Sequence, residues 1–147
     1  MAHSPPRSHF RRLEMIYADS AINHTIPSQI SIERGLAQVT YEVAPDYWHA
    51  ADGVHGALYF KGLDDAAFFA ANSMVPSFFV LTVRFEVELL AQVRGSHLRA
   101  IGRFERRSGR KVWAKSELFD EQGQQVARGH GLFVTSDIPL VPQPTGS

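Results

Sequence analysis

The 147-residue sequence contains no cysteine, and this absence limits the chemistry open to the chain. A disulfide framework, a thiolate zinc site, an iron–sulfur cluster and a cysteine nucleophile are all excluded. A catalytic group in this protein must therefore act through oxygen or imidazole.

An excess of charge of either sign is also missing, because 15 basic side chains balance 15 acidic ones. Most nucleic-acid binding depends on attraction between cationic side chains and phosphates, so this balance argues against a nucleic-acid partner. The densest apolar region, residues 66–81, is interrupted by polar residues and Pro76 and is shorter than the roughly 20 residues of a membrane-spanning helix. The first 20 residues have no continuous apolar stretch, so we expect a cytoplasmic protein without a membrane anchor.

Local motifs of several common enzyme classes are absent too. The sequence has no G-x-x-x-x-G-K-[ST] loop, no G-x-S-x-G turn, no G-x-G-x-x-G motif and no H-E-x-x-H motif. Nucleotide hydrolysis by a P-loop and serine hydrolase chemistry therefore have no local support.

The order of periodic segments predicts one α+β domain. Helical spacing of apolar residues predicts a helix over 6–18, and alternation over 29–43 predicts a hairpin or one bent strand. Residues 57–74 are apolar nearly all round and rich in alanine, which is typical of a buried helix. Four strand-like runs follow, over 78–93, 97–106, 111–119 and 125–135, with turn signals that suit consecutive antiparallel hairpins. We interpret this order as one antiparallel sheet wrapped around one long central helix.

Three parts of the chain differ in character. Residues 1–27 form an N-terminal helical segment, 28–137 the main domain, and 138–147 a proline-rich tail that we expect to be flexible. With 44% hydrophobic and 20% charged residues, the composition is that of a folded globular protein.

Segment 55–65 contains the most informative polar groups. Gly56 lies where a loop meets the predicted helix, and free N–H groups at a helix start can hold a developing oxyanion. Asp64 and Asp65 follow on a helix that is otherwise buried, where an unpaired carboxylate is costly unless it has a partner or a use. Two interpretations of Asp64 stay open. It is either a catalytic group, or a structural one held by N–H groups of the sheet while Lys61 pairs with Asp65 at i,i+4.

The motif His55-Gly56-Ala57, with Asp64 nine residues after the histidine and Asn72-Ser73 beyond, resembles the H-G-G-x(6)-D helix start of hot dog-fold acyl-CoA thioesterases of the phenylacetate-degradation type. The resemblance covers about residues 29–135. It implies a hot dog fold, Asp64 as general base or nucleophile, and the Gly56 N–H as donor to the thioester carbonyl. It also implies that Thr82, early in the next strand, orients the attacking water from the partner subunit, although a threonine suits a strand on β-propensity alone.

The sequence departs from that motif at three positions. His49 stands where the family frequently has an asparagine, and an imidazole can replace an amide only in the right tautomer. Ala57 replaces the second glycine, which is harmless if the residue has helical φ and ψ. Asp65 beside Asp64 would raise the pKa of the base. His55 itself is either a catalytic group or a residue that bonds backbone at the helix start.

Two further clusters have both a functional and a plain interpretation. Basic side chains around the Ser108-Gly109 turn form either a solvated hairpin tip or a site for the nucleotide phosphates of CoA, and they are Arg103, Arg106, Arg107, Arg110 and Lys111. His49, Asp52 and His55 have a spacing compatible with a two-histidine, one-carboxylate metal site, but nothing else in the sequence requires a metal. We expect no metal and no cofactor, since CoA would enter as part of the substrate.

The sequence thus predicts a hot dog protein that hydrolyses an acyl-CoA to a carboxylate and free CoA. Two alternatives stay open: a non-catalytic acyl- or CoA-binding protein with the same pocket, and a dehydratase or hydratase on the same fold. A single sheet around one helix leaves an edge and an exposed flank, so we expect a homodimer. The resemblance extends this expectation to a homotetramer, with active sites between subunits.

Overall fold

Two helices open the described part of the chain, which is residues 5–140 of the computed structural model. Helix α1 spans Arg7–Asp19 and helix α2 spans Ile22–Thr25. Phe10, Leu13 and Tyr17 recur at helical spacing and are buried, so one face of α1 packs on the domain. The helix predicted over 6–18 is confirmed.

The next segment is a hairpin and not one bent strand. Strand β1 (Ser28–Glu33) pairs antiparallel with β2 (Leu36–Glu42), with Ile30 opposite Val39. Gly35 in the connection has a φ of +69°, which glycine adopts without strain. Strand β1 begins at residue 28, but α1 packs on the same core, so the division of the chain there stays a prediction.

Six strands form one antiparallel sheet around the central helix α3 (Gly56–Asn72). The later strands are β3 (Phe78–Leu89), β4 (His97–Ser108), β5 (Lys111–Phe119) and β6 (Gln125–Pro139). Their order in the sheet is β1-β2-β4-β5-β6-β3.

The expectation of consecutive hairpins is wrong at the step from β3 to β4. Strand β3 pairs with β6, whereas β4 pairs with β2. Residues 90–96 do not turn tightly, because Val93 O accepts from Val54 N at 2.8 Å in the segment before α3. This loop therefore crosses the end of the sheet where α3 begins, and β3 becomes an edge strand.

Small residues let the sheet approach α3 closely. Leu63, Ala66 and Ala70 on the helix are fully buried. A side chain at Gly102 of β4 would overlap the backbone carbonyl of Ala66, so its absence sets the distance between strand and helix. Ser116 Oγ of β5 donates to Leu63 O at 2.8 Å and fixes the helix on the sheet.

The two edges of the sheet are β1 and β3, and β3 is unusually apolar for an edge. It is 12 residues long and leaves Leu81 46%, Val83 60% and Leu89 56% exposed. Edge strands that stay unpaired are commonly short, charged or covered. An exposed apolar edge of this length is typical of a surface that another chain covers.

The first residues of the predicted tail continue the sheet and pack on the core. Strand β6 continues to Pro139, and Leu140 is buried with its N–H donated to Ser77 O at 2.9 Å. The rest of the predicted tail, 141–147, lies outside the described residues. Within 5–140 no helix is long and apolar enough to cross a membrane.

Candidate active site

His55 ends the loop and caps the first turn of α3. Its backbone is extended, with φ of −61° and ψ of 140°, and its Nδ1 accepts from the Ala57 N–H at 3.0 Å. Gly56 is therefore the first helical residue, and its N–H is one of those that have no partner within the helix. The structure gives His55 the helix-start role that the sequence allowed.

The two adjacent acids of α3 point in different directions, as consecutive helix residues must. Asp65 accepts from Lys61 Nζ at 2.8 Å and from the Tyr17 hydroxyl at 2.8 Å, so its charge is paired. Asp64 instead accepts from Thr82 Oγ1 at 2.9 Å. The structural alternative for Asp64 is thus wrong in its detail, because within 5–140 a hydroxyl and not the sheet N–H groups holds the carboxylate.

The surroundings of Asp64 make it a stronger base than an exposed aspartate. Burial raises the pKa of Asp64 from 3.8 to about 6, the Thr82 hydrogen bond opposes that rise, and the negative charge of Asp65 adds to it. The carboxylate is therefore ionised at neutral pH but holds a proton more readily than usual. The effect of Asp65 on its neighbour agrees in direction with the expectation from the sequence.

A β-bulge positions Thr82. Thr82 pairs with Phe133 and Arg84 pairs with Leu132, so Val83 is the extra residue. Before the bulge Thr82 faces α3, and after it Phe85 packs on the core, whereas an unbroken strand would turn Arg84 inward. The prediction of a plain strand misses this bulge, although the apolar alternation changes phase between residues 82 and 85.

Thr82 reaches Asp64 within one chain. The 2.9 Å contact lies inside a single protomer, because β3 lies on the side of α3 to which Asp64 points. That Thr82 orients water in a site shared with the partner subunit stays a prediction. Asp64 and Thr82 therefore form one unit, whatever else completes the site.

Gly56 and Asp64 are not brought together in one chain. They are separated by eight residues of α3, and a rise of about 1.5 Å per residue puts them roughly 12 Å apart. A thioester carbonyl at the Gly56 N–H would be too distant from the Asp64 of the same protomer to react with it.

A cavity of about 300 Å³ lies in front of the start of α3. Gly56, His49 and Gln92 line it, together with apolar residues from the end of β3 and the loop after it. His49 Nδ1 accepts from the Ala51 N–H at 3.0 Å, and its Nε2 lies 2.6 Å from the side-chain amide of Gln92. The structure thus brings His49 close to Gly56 and adds Gln92, which the sequence did not single out.

Residues 52–127 match the family model described as the thioesterase superfamily. The chain belongs to the thioesterase superfamily. The fold agrees: the Escherichia coli PaaI protein from the phenylacetic acid degradation operon superposes with a TM-score of 0.82 at 18% identity, over 90% of this chain and 96% of PaaI. The protein is thus an α+β hot dog protein, with a six-stranded antiparallel sheet and a central helix packed against it.

Two other proteins are similar to this superfamily member. A Streptococcus mutans protein solved with bound acetyl-CoA has a TM-score of 0.68 and 20% identity, over 74% of this chain and 88% of that protein. A curated Sulfurisphaera tokodaii protein named "Putative esterase" is 25% identical over 102 residues, which are 69% of this chain and 76% of the relative.

The basic hairpin tip of this thioesterase-superfamily chain lies far from Gly56. Phe104 N donates to Gly35 O, and Gly35 N donates to Ser73 Oγ beyond the end of α3, so the tip at 108–111 extends past the helix end opposite Gly56. Its side chains are largely engaged, with the Arg106 guanidinium 3.6 Å from the centre of the Trp113 ring and Arg110 Nη2 2.7 Å from Thr135 O. Arg107 Nε also donates to Gly109 O at 3.0 Å. A phosphate role for Arg106, Arg107, Arg110 and Lys111 stays a prediction.

The part of the chain that the structure describes contains no preformed metal site. No group of three or more histidine, aspartate or glutamate side chains there is placed to hold an ion. His49 and His55 use their Nδ1 atoms to accept backbone N–H groups, so the loop triad suggested by their spacing does not form.

Proposed function

We propose that this protein is an acyl-CoA thioesterase, with Asp64 as general base or nucleophile and the Gly56 N–H as oxyanion donor. The observation that carries the proposal is the partly buried Asp64, whose pKa is raised to about 6 and whose partner is one hydroxyl at 2.9 Å. Such a carboxylate is suited to accept a proton near neutral pH. Family membership supports a thioester as the reacting bond, and the relative with bound acetyl-CoA supports a CoA ester as substrate.

In the general-base version, Asp64 takes a proton from water while the water oxygen attacks the carbonyl carbon. The Gly56 N–H stabilises the oxyanion, and one such donor is typically worth about 2.7–4 kcal/mol of barrier. The C–S bond then breaks as the carbonyl re-forms, and the CoA thiolate takes up the proton from Asp64. In the nucleophilic version, Asp64 attacks the carbonyl carbon itself, the thiolate leaves, and water hydrolyses the resulting anhydride.

Both versions require two copies of the chain. Because Gly56 and Asp64 of one protomer are separated by roughly 12 Å of helix, the donor and the base at one carbonyl come from different protomers. Thr82 is part of the exposed edge strand β3 and contacts Asp64, and a second copy of the chain can pair with this strand. A two-fold axis there makes the two α3 helices antiparallel, so the start of one helix lies beside the middle of the other. We therefore propose a homodimer through β3 as the working unit.

The alternative functions make different demands on the same residues. A hydratase needs a histidine that faces an acid across the substrate. Here His55 accepts the Ala57 N–H at the helix start, and it lies about 13 Å from Asp64 along α3. Hydration of crotonyl-CoA is the direct measurement for that function. A non-catalytic acyl-CoA-binding protein would bind these esters without turning them over.

Hydrolysis of acetyl-, medium-chain, long-chain and phenylacetyl-CoA by wild type, Asp64→Asn and Asp65→Asn tests the proposal. Asp64→Asn removes the base without changing its shape, and we expect kcat to fall on the order of 10²-fold or more. Asp65→Asn is a matched control on the other side of the helix, and we expect its kcat to stay within about tenfold of wild type. Turnover of no thioester above background, or loss of activity only in Asp65→Asn, would contradict the proposal.

A further inference from the structure

His49 and Gln92 form a polar pair beside the start of α3. The ring of His49 accepts the Ala51 N–H at Nδ1, at 3.0 Å, and its Nε2 lies 2.6 Å from Nε2 of Gln92. A backbone N–H can only donate, so Nδ1 carries no proton. The neutral ring therefore has its proton on Nε2, and that nitrogen is a donor toward Gln92.

This tautomer fixes the orientation of the Gln92 amide. An Nε2–H needs an acceptor, and two donors cannot hydrogen-bond to each other, so we infer that the Gln92 amide is turned by 180° and presents its oxygen, not its nitrogen, to His49. The NH₂ group of Gln92 then points away from the ring, and among residues 5–140 the amide has no other hydrogen-bond partner. Gln92 is exposed and lines the same cavity as Gly56, so its two N–H donors are accessible to a ligand in the space in front of the helix start.

Gly53 keeps room for this arrangement. Gly53 is buried, and a Cβ added to it would overlap the amide and Cγ of Gln92. The absence of a side chain at residue 53 therefore lets Gln92 lie against the loop, with its amide in reach of His49. Gly53→Ala would displace Gln92 while leaving the side chain of His49 unchanged.

From these contacts we propose that Gln92 is a substrate-binding residue, whose amide NH₂, oriented by His49, donates to the thioester carbonyl beside the Gly56 N–H. His49 is then a positioning residue, because its one N–H is used by Gln92. The inference rests on the proposed function and adds to its site a donor from the loop after β3.

Gln92→Glu and Gln92→Leu separate the two roles that this pair could have. Gln92→Glu keeps an oxygen for His49 but removes both N–H donors and places negative charge where the oxyanion forms. We expect both variants to lose kcat on the order of 10²-fold, with KM changed less than about threefold. Gln38→Glu on the exposed face of β2 is the matched control and should behave as wild type. Wild-type kcat in Gln92→Glu with a loss only in Gln92→Leu would overturn the proposal, since Gln92 would then merely orient His49.

Gly53→Ala tests the arrangement without changing a polar group. We expect kcat to fall about tenfold in the wild-type background, because the new Cβ moves the Gln92 amide away from the substrate carbonyl. In the Gln92→Ala background the space is free, so Gly53→Ala should cause no further loss. An equal loss in both backgrounds would mean that Gly53 serves only the fold of its own loop, and the space argument would fail.

Binding measurements keep this inference separate from the proposed function. The probes are the ketone analogue of acetyl-CoA in which a methylene replaces the sulfur, and S-ethyl-CoA, which lacks the carbonyl. Calorimetry should find the ketone bound about tenfold more tightly by wild type. Gln92→Leu should reduce that preference to about threefold, because the Gly56 N–H remains, while affinity for S-ethyl-CoA stays unchanged. Equal binding of the two probes by wild type, or an unchanged preference in Gln92→Leu, would overturn the role of Gln92. A carbonyl preference that depends on Gln92 in a protein that hydrolyses no thioester would instead contradict only the proposed function.

Discussion

Asp64 and Asp65 are adjacent acids whose surroundings differ. Asp65 forms an ion pair with Lys61, whose side chain is only 11% exposed, and also accepts from Tyr17, so its charge is compensated. Among residues 5–140, Asp64 has one hydrogen-bond partner, the neutral Thr82, and its pKa is raised mainly by burial. A partly buried carboxylate without a cationic partner is suited to react, whereas an ion-paired one is suited to hold elements together. These contacts support the proposed role of Asp64 as the reactive acid, with Asp65 as part of the scaffold.

The pH dependence of activity should follow Asp64. A base acts only when unprotonated, so kcat/KM should rise with pH through about 6, the raised pKa of Asp64. Thr82→Val removes the hydrogen bond that lowers this pKa, so the rising limb should move to higher pH. Thr82→Ser keeps the hydroxyl and should keep the wild-type limb. The profile of kcat/KM is measured from pH 4.5 to 9. A rising limb with the same midpoint in Thr82→Val and in wild type would show that Thr82 does not act on the base.

The donor at the helix start can be deleted with little disturbance. Gly56 is the first residue of α3, where proline is well tolerated, and the extended backbone of His55 suits a residue that precedes proline. Gly56→Pro removes the N–H, and we expect kcat to fall about 10²–10³-fold. Gly56→Ala keeps the N–H, and its Cβ would lie 3.7 Å from Leu89 Cδ1, an ordinary contact. Steady-state kinetics should therefore find Gly56→Ala active, and comparable losses in both variants would argue against an N–H role.

At the scale of elements, Lys61 joins the N-terminal helices to α3. Its Nζ contacts Asp65, Asn23 at 2.9 Å and Ser28 at 3.1 Å, so one amine connects the central helix to α2 and to β1. Lys61→Met leaves Asp65 partly buried without its cation, and we expect a loss of about 2–4 kcal/mol in the free energy of unfolding. Lys115→Met, on the exposed face of β5, is the control and should change stability little. Urea unfolding gives the free energy of unfolding of both variants. Equal values for Lys61→Met and Lys115→Met would mean that the Lys61–Asp65 ion pair does not stabilise the fold.

The elements that the sequence predicts correctly are those whose signals are local. The buried helix α3 follows from a segment apolar on all sides, and β4, β5 and β6 follow from the turns between them. The pairing of β3 with β6 was missed because it depends on contacts of the loop 90–96 with residues about 40 positions earlier. Gln92 was missed for the same reason, since its partner His49 is 43 residues away. Of the candidate site, Asp64, Gly56 and Thr82 could be proposed from a motif, whereas the tautomer of His49 required the contact to Ala51.

At the scale of the whole molecule, the geometry of one chain is incomplete for the proposed reaction. The donor and the base lie on the same helix but roughly 12 Å apart, and the helix cannot bend to bring them together. The edge strand β3 beside Asp64 exposes Leu81, Val83 and Leu89. Exposure of these apolar side chains to water is unfavourable, and contact with another chain would bury them. The proposed dimer through this edge would supply the missing donor and cover the exposed apolar side chains with one interface.

Mixing two inactive variants tests this arrangement directly. In a dimer of Asp64→Asn with Gly56→Pro, one site receives Asp64 from the second chain and Gly56 from the first, and is intact, while the other site carries both defects. Random reassociation makes half of the dimers mixed, each with one of two sites active, so activity should return to about a quarter of the wild-type value. Hydrolysis measured after joint refolding, with each variant refolded alone as control, gives the result. Recovery no greater than the sum of the two variants would place the whole site within one chain and would rule out the shared site.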